Sequence, residues 1–183
     1  MEHRAGWVTR YGVRADAVTE PNVASLTPSQ TVGPFFSDCL LRDGVACSDL
    51  APEASADRRI VIHGHVYDGA GAVVPDAVIE LWQDGARFGR IGTGADGRFE
   101  FTTVQPADVA SPYISVAIFA RGLLNHLYTR IYFRDTAGTA DPVLIRVPAD
   151  RRDTLFARDE GAGTYRFDVV LQGHGETVFF DFA

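Results

Sequence analysis

From Arg59 onward the chain takes on a period of two. In residues 60–67 the apolar side chains Ile60, Ile62 and Val66 fall on one side, with Gly64 in the same row. Such alternation gives a strand one face for a core and one for water. Residues 77–82 read as the next strand, and Phe99, Phe101 and Thr103 then alternate with Arg98, Glu100 and Thr102. Ile114, Val116 and Ile118 share a face in residues 113–120. Leu127, Thr129, Ile131 and Phe133 do the same in residues 127–133. Residues 142–147 predict a shorter strand, and residues 148–157 a short helix with charges on its exposed side. Tyr165, Phe167, Val169 and Leu171 alternate again, and residues 177–182 close the series.

Turn chemistry separates these segments. Asp68-Gly69-Ala70-Gly71 is a turn signal, and Asp96-Gly97 predicts a hairpin because this pair accepts positive φ angles. About eight short strands divided by turns imply an all-β, two-sheet sandwich rather than a parallel α/β sheet. Ahead of them, residues 27–36 (TPSQTVGPFF) form an irregular arm. Pro28 and Pro34 exclude regular helix there, and Gly33 permits a sharp turn. Residues 1–24 read as an extended or disordered tail, and residues 25–183 as one domain.

Composition narrows the function classes. A chain of 183 residues, 46% of them hydrophobic, can bury a sizeable core. Its 17 basic residues are all Arg, against 24 acidic ones, for a net charge of -7. That balance argues against a nucleic-acid surface, which needs a basic footprint. No apolar run approaches the roughly 20 residues of a membrane helix. The N-terminus lacks the apolar core of a secretory signal, and the cysteines, Cys39 and Cys47, suit free thiols in a reducing compartment. The expected location is the cytoplasm.

Two places invite chemistry. His63 and His65 stand two apart on a strand, so both imidazoles lie on the face opposite Ile60, Ile62 and Val66. They could grip one metal, or be ordinary polar or interfacial side chains, since no acidic residue or cysteine lies at a supporting local spacing. Arg121 follows an apolar strand and precedes Gly122. Its planar fork suits a carboxylate, whether of a structural ion pair or of a ligand. The run Asp150, Arg151, Arg152, Asp153, Arg158, Asp159, Glu160 reads as a solvated helix surface. Neither a Gly-x-Ser-x-Gly elbow nor a phosphate-cradling loop occurs.

Several segments together resemble one family. They are TPSQTVGPF at residues 27–35, Gly64 to Gly71 with ELWQ at residues 80–83, IFARG at 118–122, TRIYFRD at 129–135 and GHGETVFFDF at 173–182. In this order they are similar to the intradiol ring-cleavage dioxygenases, and among these to the α-type subunit of members built from α and β chains. The resemblance implies a β-sandwich and a β-type partner subunit that holds one ferric iron through two Tyr and a His-x-His pair. It implies O2-dependent cleavage of protocatechuate between its hydroxyl-bearing carbons to 3-carboxy-cis,cis-muconate, in the β-ketoadipate route of aromatic catabolism.

This chain departs from the iron-binding pattern. The His-x-His positions fall on Tyr113 and Ser115, and no tyrosine occurs between Tyr67 and Tyr113. The segment between Asp84 and Gly94, which would carry a ligand tyrosine, is short. His63 and His65 stand where the family has no iron ligand. The resemblance therefore implies no metal and no self-sufficient catalytic residue in this chain. It assigns Arg121, Thr31, Gly33 and Pro34 to the substrate pocket of the partner, where Arg121 meets a carboxylated catechol. Phe35 stands where the α-type subunit can carry a tyrosine. The competing readings are a non-catalytic β-sandwich binding module and a metalloenzyme built on His63 and His65.

Overall fold

Apolar alternation becomes pairing between strands. The computed structural model describes residues 39–42, 44–51, 58–106, 112–135 and 141–181. The arm with Thr31, Gly33, Pro34 and Phe35, and the tail before it, lie outside these residues. The elements are β1 (Arg59–Tyr67), β2 (Val78–Gln83), β3 (Arg87–Gly92), β4 (Arg98–Val104), β5 (Tyr113–Phe119) and β6 (Leu127–Tyr132). A short helix α1 (Pro142–Arg146), a 3-10 turn (Arg152–Leu155), β7 (Arg158–Gly161), β8 (Thr164–Arg166) and β9 (Val169–Val170) follow. One sheet runs β4-β1-β8-β7, with β9 also on β1, and the second runs β3-β2-β5-β6. β1 pairs parallel with β8 and β9, while the other ladders are antiparallel.

The two inner faces make one core. Ile60, Ile62, Val66, Phe99, Phe101 and Phe167 come from the first sheet and its edges. They meet Ile79, Leu81, Ile114, Val116, Ile118, Ile131 and Phe133. Each side chain of this size contributes about 1.5–3 kcal/mol when fully buried. Two polar groups bridge the layers at the buried end. The Thr103 hydroxyl donates to Gln83 Oε1 at 2.7 Å, and Gln83 Nε2 donates to the Val104 carbonyl at 3.0 Å. Gly64 is required by close approach, since a Cβ there would stand 1.9 Å from the Phe167 carbonyl oxygen.

Four expectations are corrected. The hairpin forms at Asp84-Gly85, not at Asp96-Gly97. Asp84 and Gly85 have φ of 54° and 66°, and Ala86 N–H donates to the Gln83 carbonyl, so β2 folds straight onto β3. At Asp96-Gly97 only the glycine has positive φ, and the turn carries the chain from one sheet to the other. Residues 142–147 are helical rather than extended. Asp141 caps the first turn by accepting from Val143 N–H and Leu144 N–H, and Pro142 needs no N–H there. The helix expected over residues 148–157 is reduced to the single 3-10 turn. The charged run leaves that turn: Arg158, Asp159 and Glu160 form edge strand β7. Arg151 and Arg152 donate to the Glu176, Val147 and Ile145 carbonyls. At the C-terminal end the described residues make only a bridge, between Phe180 and Tyr128. No helix among the described residues is long and apolar enough to cross a membrane.

Candidate functional site

The outer face of the second sheet carries Tyr113, Ser115, Arg130 and Tyr132, because these alternate with the core residues Ile114, Val116 and Ile131. Arg130 lies opposite Ser115 in the β5–β6 register, and Tyr132 opposite Tyr113. The Arg130 guanidinium sits 3.8 Å from the centre of the Tyr113 ring and 5.7 Å from that of Phe180. Its Nη1 donates to the Tyr132 hydroxyl at 3.2 Å and faces Asp141 Oδ2 at 3.4 Å. The Tyr132 hydroxyl donates to the same Asp141 oxygen at 3.1 Å. Burial pushes the Tyr132 phenol well above its ordinary range; Arg130 opposes that shift and Asp141 adds to it. Leu144, Val147, Leu155 and Val178 pack around Tyr132 as a second, smaller core.

This place does not fit a ferric ion. Tyr113 lies under a permanent cation, and a serine hydroxyl is a weak ligand. A guanidinium in the middle repels a metal cation at short range. Among the described residues no group of three or more His, Cys, Asp or Glu could hold a metal ion.

The two histidines do share a face of β1, as their spacing requires, but each has its own carboxylate. His63 Nε2 stands 2.8 Å from Glu160 Oε2, and its Nδ1 stands 3.3 Å from Arg98 Nη1. Arginine only donates, so Nδ1 accepts and Nε2–H donates to Glu160. His65 uses its backbone N–H on Asp168 Oδ1 at 3.0 Å, and its ring stacks on Tyr67. Asp168 also binds Arg166 at 2.8 Å. The network ties β1 to β7, β4 and the β8–β9 link, with no metal geometry shared by the two rings.

Arg121 lies at one end of the sandwich. The chain leaves β5 there and turns at Gly122, whose φ is 82°. Arg121 lines an open cleft of about 360 Å³ together with Asp68, Val74, Pro75, Asp76 and Gln172. Its Nε is ion-paired with Asp76 Oδ2; the side chains are 58% and 28% exposed. Of the two roles its sequence position allows, an ion pair and a ligand contact, the ion pair is present. An Arg that pairs through Nε still has its terminal nitrogens available. Thr31, Gly33 and Pro34 fall outside the described residues, so their distance from this cleft is not part of the geometry. Cys39 and Cys47 are free and exposed.

Sequence reasoning missed Asp76, Asp141, Glu160 and Asp168. Asp141-Pro142 is a readable helix start, a capping acid followed by Pro. Glu160 and Asp168 lie 97 and 103 residues from their histidines, beyond any local spacing.

No protein-family model matches the chain. It is 44% identical to the protocatechuate 3,4-dioxygenase alpha chain of Burkholderia cepacia, over 85% of this chain and 96% of that one. It is 38% identical to the alpha chain of the same name from Pseudomonas putida, with equal coverage. The Burkholderia cepacia beta chain is 30% identical over 65% of this chain and 66% of its own length. Among solved structures, the dioxygenase domain of a dioxygenase–carbohydrate-binding fusion from Streptomyces sp. SirexAA-E aligns at a TM-score of 0.54. That alignment has 24% identity and covers 81% of this chain and 99% of that one, which bears on the fold alone. The sandwich and the near full-length likeness agree: the chain belongs to the protocatechuate 3,4-dioxygenase alpha chains, within the intradiol dioxygenases.

Proposed function

We propose that this chain completes the substrate pocket of a β-type partner subunit that carries the ferric iron. The pair performs O2-dependent cleavage of protocatechuate to 3-carboxy-cis,cis-muconate. The likeness along 96% of a named alpha chain carries the reading. The Arg130 cluster supports it, since β5 holds Tyr113 and Ser115 around a guanidinium instead of a ligand set. Arg121 and the arm residues Thr31, Gly33 and Pro34 are the groups this chain offers to the substrate. Arg121 is suited to the ring carboxylate, because a guanidinium binds carboxylates in a planar, two-pronged manner.

The test purifies the chain alone and together with its β-type partner, then measures iron content and protocatechuate cleavage. Both appear only with the partner; iron and turnover in the isolated chain would overturn the reading. In the complex, Arg121→Ala raises KM for protocatechuate roughly tenfold to a hundredfold, the equivalent of about 1.5–3 kcal/mol for a charge-assisted bond. KM for unsubstituted catechol moves much less.

A further inference from the structure

We infer that Asp76 is a positioning residue for Arg121, setting the plane of its guanidinium before substrate arrives. The inference rests on the reading that Arg121 meets a substrate carboxylate.

Asp76 sits on a turn that is pinned from several sides. Pro75 precedes it and fixes its own φ. The Thr93 hydroxyl donates to the Val74 carbonyl at 2.8 Å and accepts from Ala77 N–H at 3.0 Å. Thr93 N–H donates to the Ala77 carbonyl at 2.8 Å, closing a clasp around Pro75 and Asp76. The backbone that carries the Asp76 side chain is therefore anchored on both sides.

Arg121 is the opposite kind of group. Its side chain is 58% exposed, and Gly122 beside it has open space where a Cβ would stand. Left alone, a long exposed arginine samples many rotamers and loses that freedom on binding. Asp76 engages Nε, the side of the guanidinium nearest the chain. The end-on edge, formed by Nη1 and Nη2, is the edge that a carboxylate takes in a two-pronged contact. Nε pairing thus fixes the plane and leaves the useful edge for the ligand.

One contrary arrangement has the opposite sign. If Asp76 competed with substrate for the guanidinium, removing its charge would tighten binding.

The test uses the assembled complex with protocatechuate and catechol. Asp76→Asn raises KM for protocatechuate about two- to tenfold, the range expected for pre-ordering one rotamer-rich side chain. The kcat changes little, and KM for catechol stays put. Asp76→Glu, which keeps the charge, recovers part of the loss. In an Arg121→Ala background Asp76→Asn has no further effect on either substrate. A lowered protocatechuate KM in Asp76→Asn, or an undiminished rise when Arg121 is already absent, overturns the inference. If Arg121→Ala itself affects both substrates equally, the carboxylate reading fails first and on its own evidence. Co-elution with the partner and an unchanged unfolding midpoint confirm that each variant is assembled.

Discussion

Two arginines, one in β6 and one in the turn that follows β5, live in opposite settings. Arg130 is 13% exposed, lies against Tyr113 and Phe180, and answers to Tyr132 and Asp141. Arg121 is 58% exposed and, among the described residues, is ion-paired through Nε with Asp76 at the mouth of a cleft. A buried charge must be matched by its surroundings, and a matched charge has little left for a ligand. An exposed, partly engaged guanidinium adds little to folding and keeps its binding capacity. The same residue type thus serves architecture in one place, and in the other keeps a guanidinium open at a cleft, where the proposed function puts recognition.

The largest effect should come from the acid under Arg130. Asp141→Ala removes two capping bonds and uncovers both Arg130 and the Tyr132 hydroxyl. A loss of about 3–5 kcal/mol is expected in urea unfolding. A loss under about 1 kcal/mol would place this cluster with ordinary surface pairs. Arg130→Met keeps bulk against Tyr113 but strands the carboxylate. About 2–3 kcal/mol should go, because the helix amides and the Tyr132 hydroxyl still serve Asp141.

Tyr132→Phe is smaller at neutral pH, about 1 kcal/mol for one hydrogen bond. Its signature is in alkali. The folded phenol titrates above its unfolded value of about 10, so the native state holds its proton where the unfolded state loses it. The stability from this group is fully present below that value and is lost as pH rises through the folded one. Tyr165 is also raised, chiefly by burial, so Tyr132→Phe should flatten the alkaline decline without abolishing it. An unchanged slope in pH-dependent unfolding would remove Tyr132 from the cause. Arg121→Ala should shift stability least, by about 0.5 kcal/mol or less, while raising the protocatechuate KM. A large loss of stability there would erase the contrast between the two arginines.

The contrast also marks how far sequence could go. Alternation placed β1, β4, β5 and β6 well, because one face of each is in the core. It failed for β3, where Phe88 and Arg90 share the outer face while small Gly89 faces inward, against Leu50. Asp-Gly occurs four times in the chain, and only strand pairing decides that the copy at Asp84-Gly85 joins β2 to β3 as a hairpin. Arg121 could be singled out from its place after an apolar run. Asp76, which holds it, could not, since the two are 45 apart in number and meet only through the sheets' ends. The Arg130 cluster was hidden for the same reason: β5 supplies Tyr113, β6 supplies Arg130 and Tyr132, the cap of α1 supplies Asp141 and the C-terminal segment Phe180.

Edge strand β7 has a consequence for how this chain meets others. It is four residues long, solvent-facing, charged at Arg158, Asp159 and Glu160, and irregular in register between Asp159 and Gly161. A long, flat, apolar edge would invite a second copy to add its own strand and start a fibre. Short, bulged and charged, this edge gives such growth no template. A subunit that works beside a partner is in this way kept from stacking on itself.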